Sequence, residues 1–383
     1  MYLSQRSQVA TAPNPLTRAL AARRAAGRPV FDLTASNPTT AGLAWPADAL
    51  AAALASPANT RYQPHPFGLQ SAREAVAATL PSLDGLQGDL SAERIVLTAS
   101  TSEAYAFLFK ALCDPGDEVL ALTPGYPLFE QLAALEGMRL THCPLAWDGA
   151  WHLDPDAVRR ALTPATRAIL LVNPNNPTGH YLRAADLEAL THHGLPIIVD
   201  EVFQPYPHQG PRWSALQRPD LPTIVLDGLS KRAGLPQIKA GWMVVNGPHA
   251  HPLLARLEHI ADTYLSLSTP TQHALPALLA DAPSVGQAIH QRTINNLAHL
   301  RAACAGTPVE IHGVGGGWYA VAALPHVMDD EAWALRLLEA GVLVQPGYFY
   351  DFAQPARVVI SLLTRPEVFA EGVAVMVAAA STP

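Results

Sequence analysis

Four polar segments each follow directly on a run of apolar residues. They are Thr98–Ser102, Val172–Gly179, the carboxylate Asp200, and Gly228-Leu-Ser-Lys231. Ligands of open α/β sheets bind beyond the carboxyl ends of the strands, so these segments are the first candidates for a functional site. The hydroxyl-rich segment Thr98–Ser102 precedes a predicted helix, and a helix N-terminus with nearby hydroxyls can hold an anion.

Each segment also has a purely structural interpretation. Serine, threonine and strand-end carboxylates often cap a following helix. Asn-Pro and Thr-Gly pairs commonly make turns, and a single lysine in a loop is usually solvated. No segment identifies a function when it is considered alone.

The apolar runs before these segments predict strands that are buried on both faces. They lie at Arg94–Thr98, Glu118–Leu122, Ala168–Val172, Pro196–Asp200 and Thr223–Asp227. Apolar residues spaced by three and four predict intervening helices at Glu103–Leu112, Tyr126–Leu135 and Ala184–His192, and a longer helix at Gln272–Ala302. Alternation of strand and helix is typical of a largely parallel α/β sheet.

The composition excludes several classes of function. Of 383 residues, 49% are hydrophobic and only 15% are charged, which favours an oligomer with a large interior or interface. A net charge of −7 without a basic block argues against a nucleic-acid or membrane partner. Three scattered cysteines suggest neither disulfides nor zinc, and we see no signal peptide or apolar run of about 18 residues. We therefore expect a cytoplasmic protein.

Three motifs follow one another along the chain: Asn175-Asn-Pro-Thr-Gly179, Asp200-Glu-Val202 and Ser230-Lys231. In this order they resemble the aminotransferase class I and II family, the fold-type-I enzymes that use pyridoxal 5′-phosphate (PLP). The resemblance extends from Asn37 to Arg357. It implies a large α/β domain at 40–265 with a mostly parallel seven-stranded sheet, and a smaller α+β domain at 1–39 plus 266–383. It also implies a homodimer with shared active sites.

The resemblance assigns roles to individual residues. Lys231 would join PLP as a Schiff base, Asp200 would pair with the ring nitrogen, and Asn176 would donate a hydrogen bond to the 3′ oxygen. Arg357 would clamp the substrate's α-carboxylate. The other positions that it implies are Tyr126, stacked on the ring; Ala99, Ser100, Thr101, Ser102 and Ser230, around the cofactor; Tyr62, from the second subunit; and Ser36 and Asn37, in a segment that closes over the site.

The chemistry of PLP calls for these residue types. A carboxylate such as Asp200 raises the pKa of the ring nitrogen and keeps it protonated. Lys231 must be a nucleophilic amine, so a partly desolvated pocket should lower its pKa. Arg357 offers a planar charged fork that suits a carboxylate.

Four positions depart from the family's pattern. Phe203 stands where a tyrosine often donates to the 3′ oxygen, and Gly228 stands where many relatives have a phosphate-binding serine. Lys239 replaces an arginine at the phosphate, which keeps the charge but loses the bidentate geometry. Ser100 replaces a glycine. These changes bear on efficiency and on the exact reaction more than on the cofactor.

The favoured reaction is transfer of an amino group from an α-amino acid to a 2-oxo acid. No arginine occurs at Asp262–Ser268, where relatives that act on dicarboxylates carry a second clamp, so a neutral or apolar substrate is preferred. A β-eliminating PLP lyase would use the same Lys231 and Asp200. A non-catalytic effector sensor is a third possibility, although no basic DNA-binding domain precedes Asn37.

Other motifs favour structural roles. The glycine-rich Gly313–Gly317 lacks a full dinucleotide-binding pattern and indicates a turn. The histidine pairs His192-His193 and His249/His251 lack a companion carboxylate motif, which favours surface or capping roles over metal binding. Asp329-Asp330 is typical of the start of a helix, expected at Glu331–Ala340.

Overall fold

The computed structural model describes residues 1, 3–8, 12–80, 90–210 and 213–382. Its helices are α1 (Pro15–Ala25), α2 (Ala47–Leu54), α3 (Gln70–Thr79), α4 (Thr101–Leu112), α5 (Phe129–Leu135), α6 (Pro155–Ala161), α7 (Ala184–Thr191), α8 (Leu229–Arg232), α9 (Ala250–Tyr264), α10 (Thr269–Cys304), α11 (Asp330–Ala340) and α12 (Pro366–Ser381). Its strands are β1 (Phe31–Asp32), β2 (Ile95–Thr98), β3 (Glu118–Thr123), β4 (Arg139–Pro144), β5 (Ala146–Trp147), β6 (Trp151–His152), β7 (Thr166–Val172), β8 (Ile197–Asp200), β9 (Thr223–Gly228), β10 (Gly241–Val245), β11 (Glu310–Ile311), β12 (Tyr319–Ala323), β13 (Val342–Leu343), β14 (Gln345–Pro346) and β15 (Arg357–Ser361).

A seven-stranded sheet in the order β2-β10-β9-β8-β7-β3-β4 forms the centre of the protein. Its strands run parallel except for β10, which is antiparallel to both of its neighbours. Strands β2, β8, β9 and β10 are buried at every residue, as expected where helices cover both faces. The predicted mostly parallel α/β sheet is confirmed.

The five predicted strands appear as β2, β3, β7, β8 and β9, each within two residues of its expected bounds. Two strands of the sheet were not predicted. The edge strand β4 is exposed or half-buried at most of its positions and so lacks a continuous apolar run. The other is β10, which begins at a glycine and follows no clear turn signal.

A second layer of structure joins the N-terminal segment to the C-terminal part. Strand β1 pairs in parallel with β13, and strands β11, β12, β15 and β14 form an antiparallel sheet. The apolar core here draws on Leu16, Leu33, Trp333 and Phe369. The domain division at residues 39/40 and 265/266 stays a prediction.

The long helix α10 connects the two layers. Leu278 belongs to the core under the large sheet, whereas Leu300 belongs to the core of the C-terminal part. Its 36 residues span about 54 Å at 1.5 Å per residue. Among the described residues, no helix combines the length and the apolar character needed to cross a bilayer.

Candidate active site at the carboxyl edge of the sheet

A cleft opens beyond the carboxyl ends of β2, β7, β8 and β9. The cleft brings together seven of the predicted site residues because parallel strands deliver their last residues to one edge of the sheet. These seven are Thr101, Tyr126, Asn176, Asp200, Phe203, Ser230 and Lys231, and the lining is completed by Val172, Val202, Gly228, Ala240 and Tyr319.

Asp200 ends β8 and is only 6% exposed. Its Oδ2 accepts a hydrogen bond from Tyr105 Oη at 2.7 Å, and its Oδ1 accepts from the Val202 backbone N–H at 3.0 Å. Burial raises the pKa of Asp200 to about 6, and the two hydrogen bonds oppose that rise because they favour the ionised form. The residue is a buried carboxylate with two fixed donors.

Lys231 lies in the one-turn helix α8 that follows β9. Its Nζ lies 5.2 Å from the centre of the Trp318 ring. Burial lowers the pKa of Lys231, and the nearby Asp200 charge opposes that change. The backbone of α8 is fixed by Tyr206, whose hydroxyl donates to the Lys231 carbonyl oxygen. A desolvated amine on a fixed backbone suits covalent chemistry at a carbonyl group.

The N-terminus of α4 forms the turn after β2. Ser100 caps the helix by accepting from the Glu103 N–H at 3.2 Å, while Glu103 accepts from the Ala99 N–H at 2.7 Å. The first-turn N–H groups of Thr101 and Ser102 have no intrahelical acceptor. A methyl group on Gly241 would lie 2.9 Å from the Thr101 nitrogen, so only glycine allows β10 to pass this close to the turn. Such a turn suits a phosphate.

Three further predicted residues form the walls of the cleft. Asn176 is 6% exposed, and its Oδ1 has no partner among the described residues, so the amide is available to a ligand. Phe203 packs edge-on against Tyr319, with 6.0 Å between ring centres. Tyr126 packs edge-on against Phe129 at 5.4 Å, and burial raises the pKa of its phenol.

Several predicted residues do not line the cleft in a single chain. Lys239 is exposed and adopts a left-handed backbone with φ of 58°. Tyr62 is 75% exposed. Ser36 lies within hydrogen-bonding reach of the Tyr319 phenol, whereas Asn37 is exposed and its Oδ1 accepts from the backbone N–H and the hydroxyl of Thr39.

Arg357 also lies outside the lining of the cleft. Arg357 is the first residue of β15. The cleft residue Tyr319 pairs with Ser361, which lies four positions after Arg357, about 13 Å along the strand. Its Nη1 donates to the Pro355 carbonyl oxygen at 2.9 Å and contacts His326 at 3.2 Å. Its Nε has no partner among the described residues. Arg357 is therefore not among the residues that line the cleft, and its role at the substrate's carboxylate stays a prediction.

Sequence reasoning missed two aromatic residues of the site. Tyr105 follows Thr101 by four positions and therefore shares its helical face, which is the signal that could have revealed it. Tyr319 comes from β12, far along the chain, and no sequence pattern placed it at the sheet edge.

The alternative motifs contribute no separate site. The N–H groups of Gly315 and Gly316 donate to the Gly179 carbonyl oxygen at 3.1 and 3.0 Å, so the glycine-rich segment packs on the turn that carries Asn176. Among the described residues, no group of histidine, cysteine, aspartate and glutamate side chains is arranged to hold a metal ion. Asp329 caps α11 by accepting from the Ala332 N–H at 2.8 Å.

The arrangement fits PLP group by group. Lys231 is half-buried and offers a partly desolvated amine for the aldehyde, and Asp200 is a buried acceptor for a protonated ring nitrogen. Asn176 lines the cleft, where its side-chain NH₂ group could donate to the 3′ oxygen, and the turn at Thr101 suits the phosphate. The cofactor would supply an electron-withdrawing ring conjugated to the bound amine.

Comparison with known proteins agrees with this assignment. A family model described as aminotransferase class I and II matches residues 28–370. The glutamate-pyruvate aminotransferase AlaA of Escherichia coli K12 is 31% identical over 271 residues, which are 69% of this chain and 66% of that protein, just under two thirds of its length. An alanine aminotransferase of Mycobacterium tuberculosis H37Rv is 28% identical over 325 residues, 78% of this chain and 73% of that protein.

Solved structures extend the likeness to almost the whole chain. The crystal structure of an aminotransferase from Escherichia coli has a TM-score of 0.86 at 27% identity and covers 99% of this chain and 98% of its own. A single mutant of the Thermus thermophilus aspartate aminotransferase has a TM-score of 0.85 at 25% identity, and the match covers 99% of this chain and 100% of that one. The chain therefore belongs to the aminotransferase class I and II family of PLP-dependent enzymes and has the fold of that family.

Proposed function

We propose that this enzyme transfers an amino group from a neutral or apolar α-amino acid to a 2-oxo acid. The observation that carries the proposal is the placement of Lys231 and Asp200 in one cleft, where burial shifts the pKa of each toward its neutral form. Such paired shifts in a cleft mark residues that move or hold protons.

The residues divide the chemistry between them. PLP, when bound, withdraws electrons from the substrate's Cα and so weakens its C–H bond. Lys231 would hold PLP through its Nζ and, as a free amine, would act as the general base that accepts the proton from the substrate's Cα. Asp200 holds the proton on the ring nitrogen. The aromatic walls at Tyr126 and Phe203 exclude water from the reacting carbon.

The lining of the cleft supports a substrate without a second carboxylate. None of the described residues that line it is an arginine, and Val172, Val202 and Phe203 make much of the wall apolar. The relative named as an alanine aminotransferase agrees with a small side chain, whereas the name of the glutamate-pyruvate aminotransferase includes glutamate, which has a second carboxylate.

Arg357 is the proposed cation for the α-carboxylate. Its unpartnered Nε supports this role, whereas its position at the far end of β15 opposes it. Steady-state kinetics of Arg357→Lys decide the matter. A rise in KM for the amino donor of about tenfold or more, with unchanged PLP affinity, supports the clamp. An unchanged KM removes Arg357 from the site.

A donor and acceptor screen tests the proposed reaction. The purified protein, loaded with PLP, is incubated with single amino acids in the presence and absence of 2-oxo acids. We expect repeated turnover only when both are present, no more than one equivalent of product per site from the amino acid alone, and no turnover by Lys231→Ala. Release of pyruvate and ammonia without an acceptor would instead identify a β-eliminating lyase. A biological role retained by Lys231→Ala would identify a sensor.

We propose further that the enzyme is a homodimer in which Tyr62 completes the neighbouring subunit's site. Its 75% exposure in the single chain is unusual for a large aromatic side chain and supports burial against a second copy. The three free thiols, of which Cys143 and Cys304 are buried, support a reducing compartment such as the cytoplasm.

A further inference from the structure

Tyr105 is a buried phenol that does not line the cleft itself but hydrogen-bonds to Asp200, which does. Its side chain is 1% exposed, and its hydroxyl donates to Asp200 Oδ2 at 2.7 Å. We propose that Tyr105 is a positioning residue that orients the Asp200 carboxylate and keeps it ionised for the ring nitrogen of PLP. The inference rests on the proposed function and names a further residue of the same site.

Aromatic packing fixes the position of the Tyr105 ring. Its centre lies 5.2 Å from that of Phe129 in an edge-on contact and 6.0 Å from that of Phe109. Phe129 also packs against Tyr126, which lines the cleft. Because these rings surround Tyr105 in a close-packed interior, the hydroxyl cannot turn away from Asp200 without displacing them.

The two donors leave Asp200 able to serve a ligand. An ionised carboxylate offers about four lone-pair sites on its two oxygens. Tyr105 occupies one on Oδ2, and the Val202 N–H occupies one on Oδ1. The remaining sites can accept from a protonated ring nitrogen, and the two fixed donors determine the plane in which they lie.

Helix α4 links this contact to the anion-binding turn. Thr101 and Tyr105 are separated by one turn of the helix, about 6 Å at 1.5 Å per residue. Thr101 presents its N–H group at the turn, and Tyr105 presents its hydroxyl to Asp200. One rigid helix therefore sets both the proposed phosphate position and the orientation of the carboxylate.

The hydrogen bond from the Tyr105 hydroxyl favours the ionised form of Asp200. Burial and the neighbouring Asp227 charge raise the pKa of Asp200, whereas Tyr105, the Val202 N–H and Lys231 lower it, and the balance lies at about 6. The phenol of Tyr126 also faces the carboxylate. Loss of the Tyr105 hydroxyl removes a donor to the charged form, so the carboxyl would retain its proton to higher pH. A protonated carboxyl cannot hold a second proton on the ring nitrogen.

Cofactor binding by Tyr105→Phe tests the proposal. Apo-protein is titrated at neutral pH with PLP and with 1-deaza-PLP, in which a C–H group replaces the ring nitrogen. We expect Tyr105→Phe to weaken PLP binding by about tenfold, as for loss of a hydrogen bond to a charged group, and to change 1-deaza-PLP binding by less than about twofold. Equal weakening of both ligands, or of neither, would overturn the proposal.

Two further variants separate positioning from structure. In an Asp200→Asn background, Tyr105→Phe should have no further effect on PLP binding, because the charged partner is gone. Tyr350→Phe is the matched control, since Tyr350 is a 4% exposed phenol that bonds to Gln345 rather than to Asp200. We expect it to bind PLP as the unchanged protein does. A full additional loss in the Asp200→Asn background would overturn the proposal.

The experiment also separates this inference from the proposed function. The unchanged protein is titrated with PLP first. Failure to bind PLP would count against both the proposed function and the proposed role of Tyr105. If it binds PLP but lacks amino transfer, the proposed function fails while the Tyr105 effect is still measured as an affinity. The pH dependence of the bound cofactor's absorption is a second readout: we expect the transition in Tyr105→Phe to shift, and an unshifted transition counts against the proposal.

Discussion

Asp227 at the end of β9 and Arg232 at the end of α8 form a buried ion pair around the segment that carries Lys231. Asp227 Oδ2 lies 2.5 Å from Arg232 Nη2, and the two side chains are 3% and 13% exposed. Asp227 Oδ1 also accepts from the Gly228 N–H at 2.6 Å. The carboxylate thus ties together both ends of the turn from which Lys231 enters the cleft.

Asp227→Asn is expected to lower the free energy of unfolding by about 3 kcal/mol, because Arg232 would remain buried without its counter-ion. Urea unfolding of the apo-protein measures the change. The matched control is Asp156→Asn, which breaks the exposed pair with Arg159, where the side chains are 63% and 70% exposed. We expect less than about 1 kcal/mol there. Similar losses in both variants would contradict the interpretation.

Glu201 should make the stability of the apo-protein depend on pH. The side chain is 3% exposed, and burial raises its pKa to about 7 although the Ser214 hydroxyl and the Ala215 N–H donate to it. A carboxyl with a raised folded-state pKa contributes stability at low pH that is lost as the pH rises through the folded value. Relative to Glu201→Gln, the unchanged protein should lose up to about 1.4 kcal/mol per pH unit between about pH 5 and about pH 7.

Urea unfolding of both proteins across this pH range measures the difference. Ser214→Ala supplies a second check on the sign. Removal of the hydroxyl donor raises the Glu201 pKa further, so the loss of stability should continue to higher pH than in the unchanged protein. A difference between the unchanged protein and Glu201→Gln that does not vary with pH would show that Glu201 does not titrate in this range.

Much of the fold was predictable because the large sheet is built from local signals. Strands such as β7 and β8 are buried on both faces, so their apolar runs are visible without knowledge of their neighbours. The helix predicted at Tyr126–Leu135 begins instead at Phe129, because Pro127 and the approach of Tyr126 to the cleft keep the preceding residues in a turn.

The site also contains residues that local sequence signals predict and residues that depend on tertiary packing. Lys231, Asp200 and Asn176 follow strands of one sheet, so strand order alone brings them together. Tyr319 depends on how the C-terminal part packs on the sheet, which no local pattern records. Arg357 is predicted from its motif alone, and its place relative to the cleft depends on the register of β15 against β12, which pairs it with Ala323 and not with the cleft residue Tyr319. Register is a pairwise property of strands and is not readable from either strand alone.

Gly241→Ala should weaken PLP binding by steric displacement of the turn at α4. The added methyl group would lie 2.9 Å from the Ser100 carbonyl carbon and from the Thr101 nitrogen, closer than carbon contacts allow, and both are backbone atoms. We expect a loss of at least about tenfold in PLP affinity, equal to about 1.4 kcal/mol.

Fluorescence titration of the apo-protein with PLP measures this loss of affinity. Gly286→Ala is the control, because its methyl group would meet only the Arg232 carbonyl oxygen at 3.4 Å. Unchanged affinity in Gly241→Ala would exclude this turn as the phosphate site.

Mixing two inactive chains tests whether Tyr62 serves the neighbouring subunit. In a dimer with shared sites, a hybrid of Lys231→Ala and Tyr62→Ala chains has one site with both defects and one site with neither. Random exchange of subunits makes half of the dimers hybrid, so mixing should restore about a quarter of the unchanged enzyme's activity. Each variant measured alone sets the baseline, and light scattering gives the oligomeric state. If Tyr62 instead acts within its own chain, both sites of the hybrid stay defective, and the mixture shows no more activity than its two components.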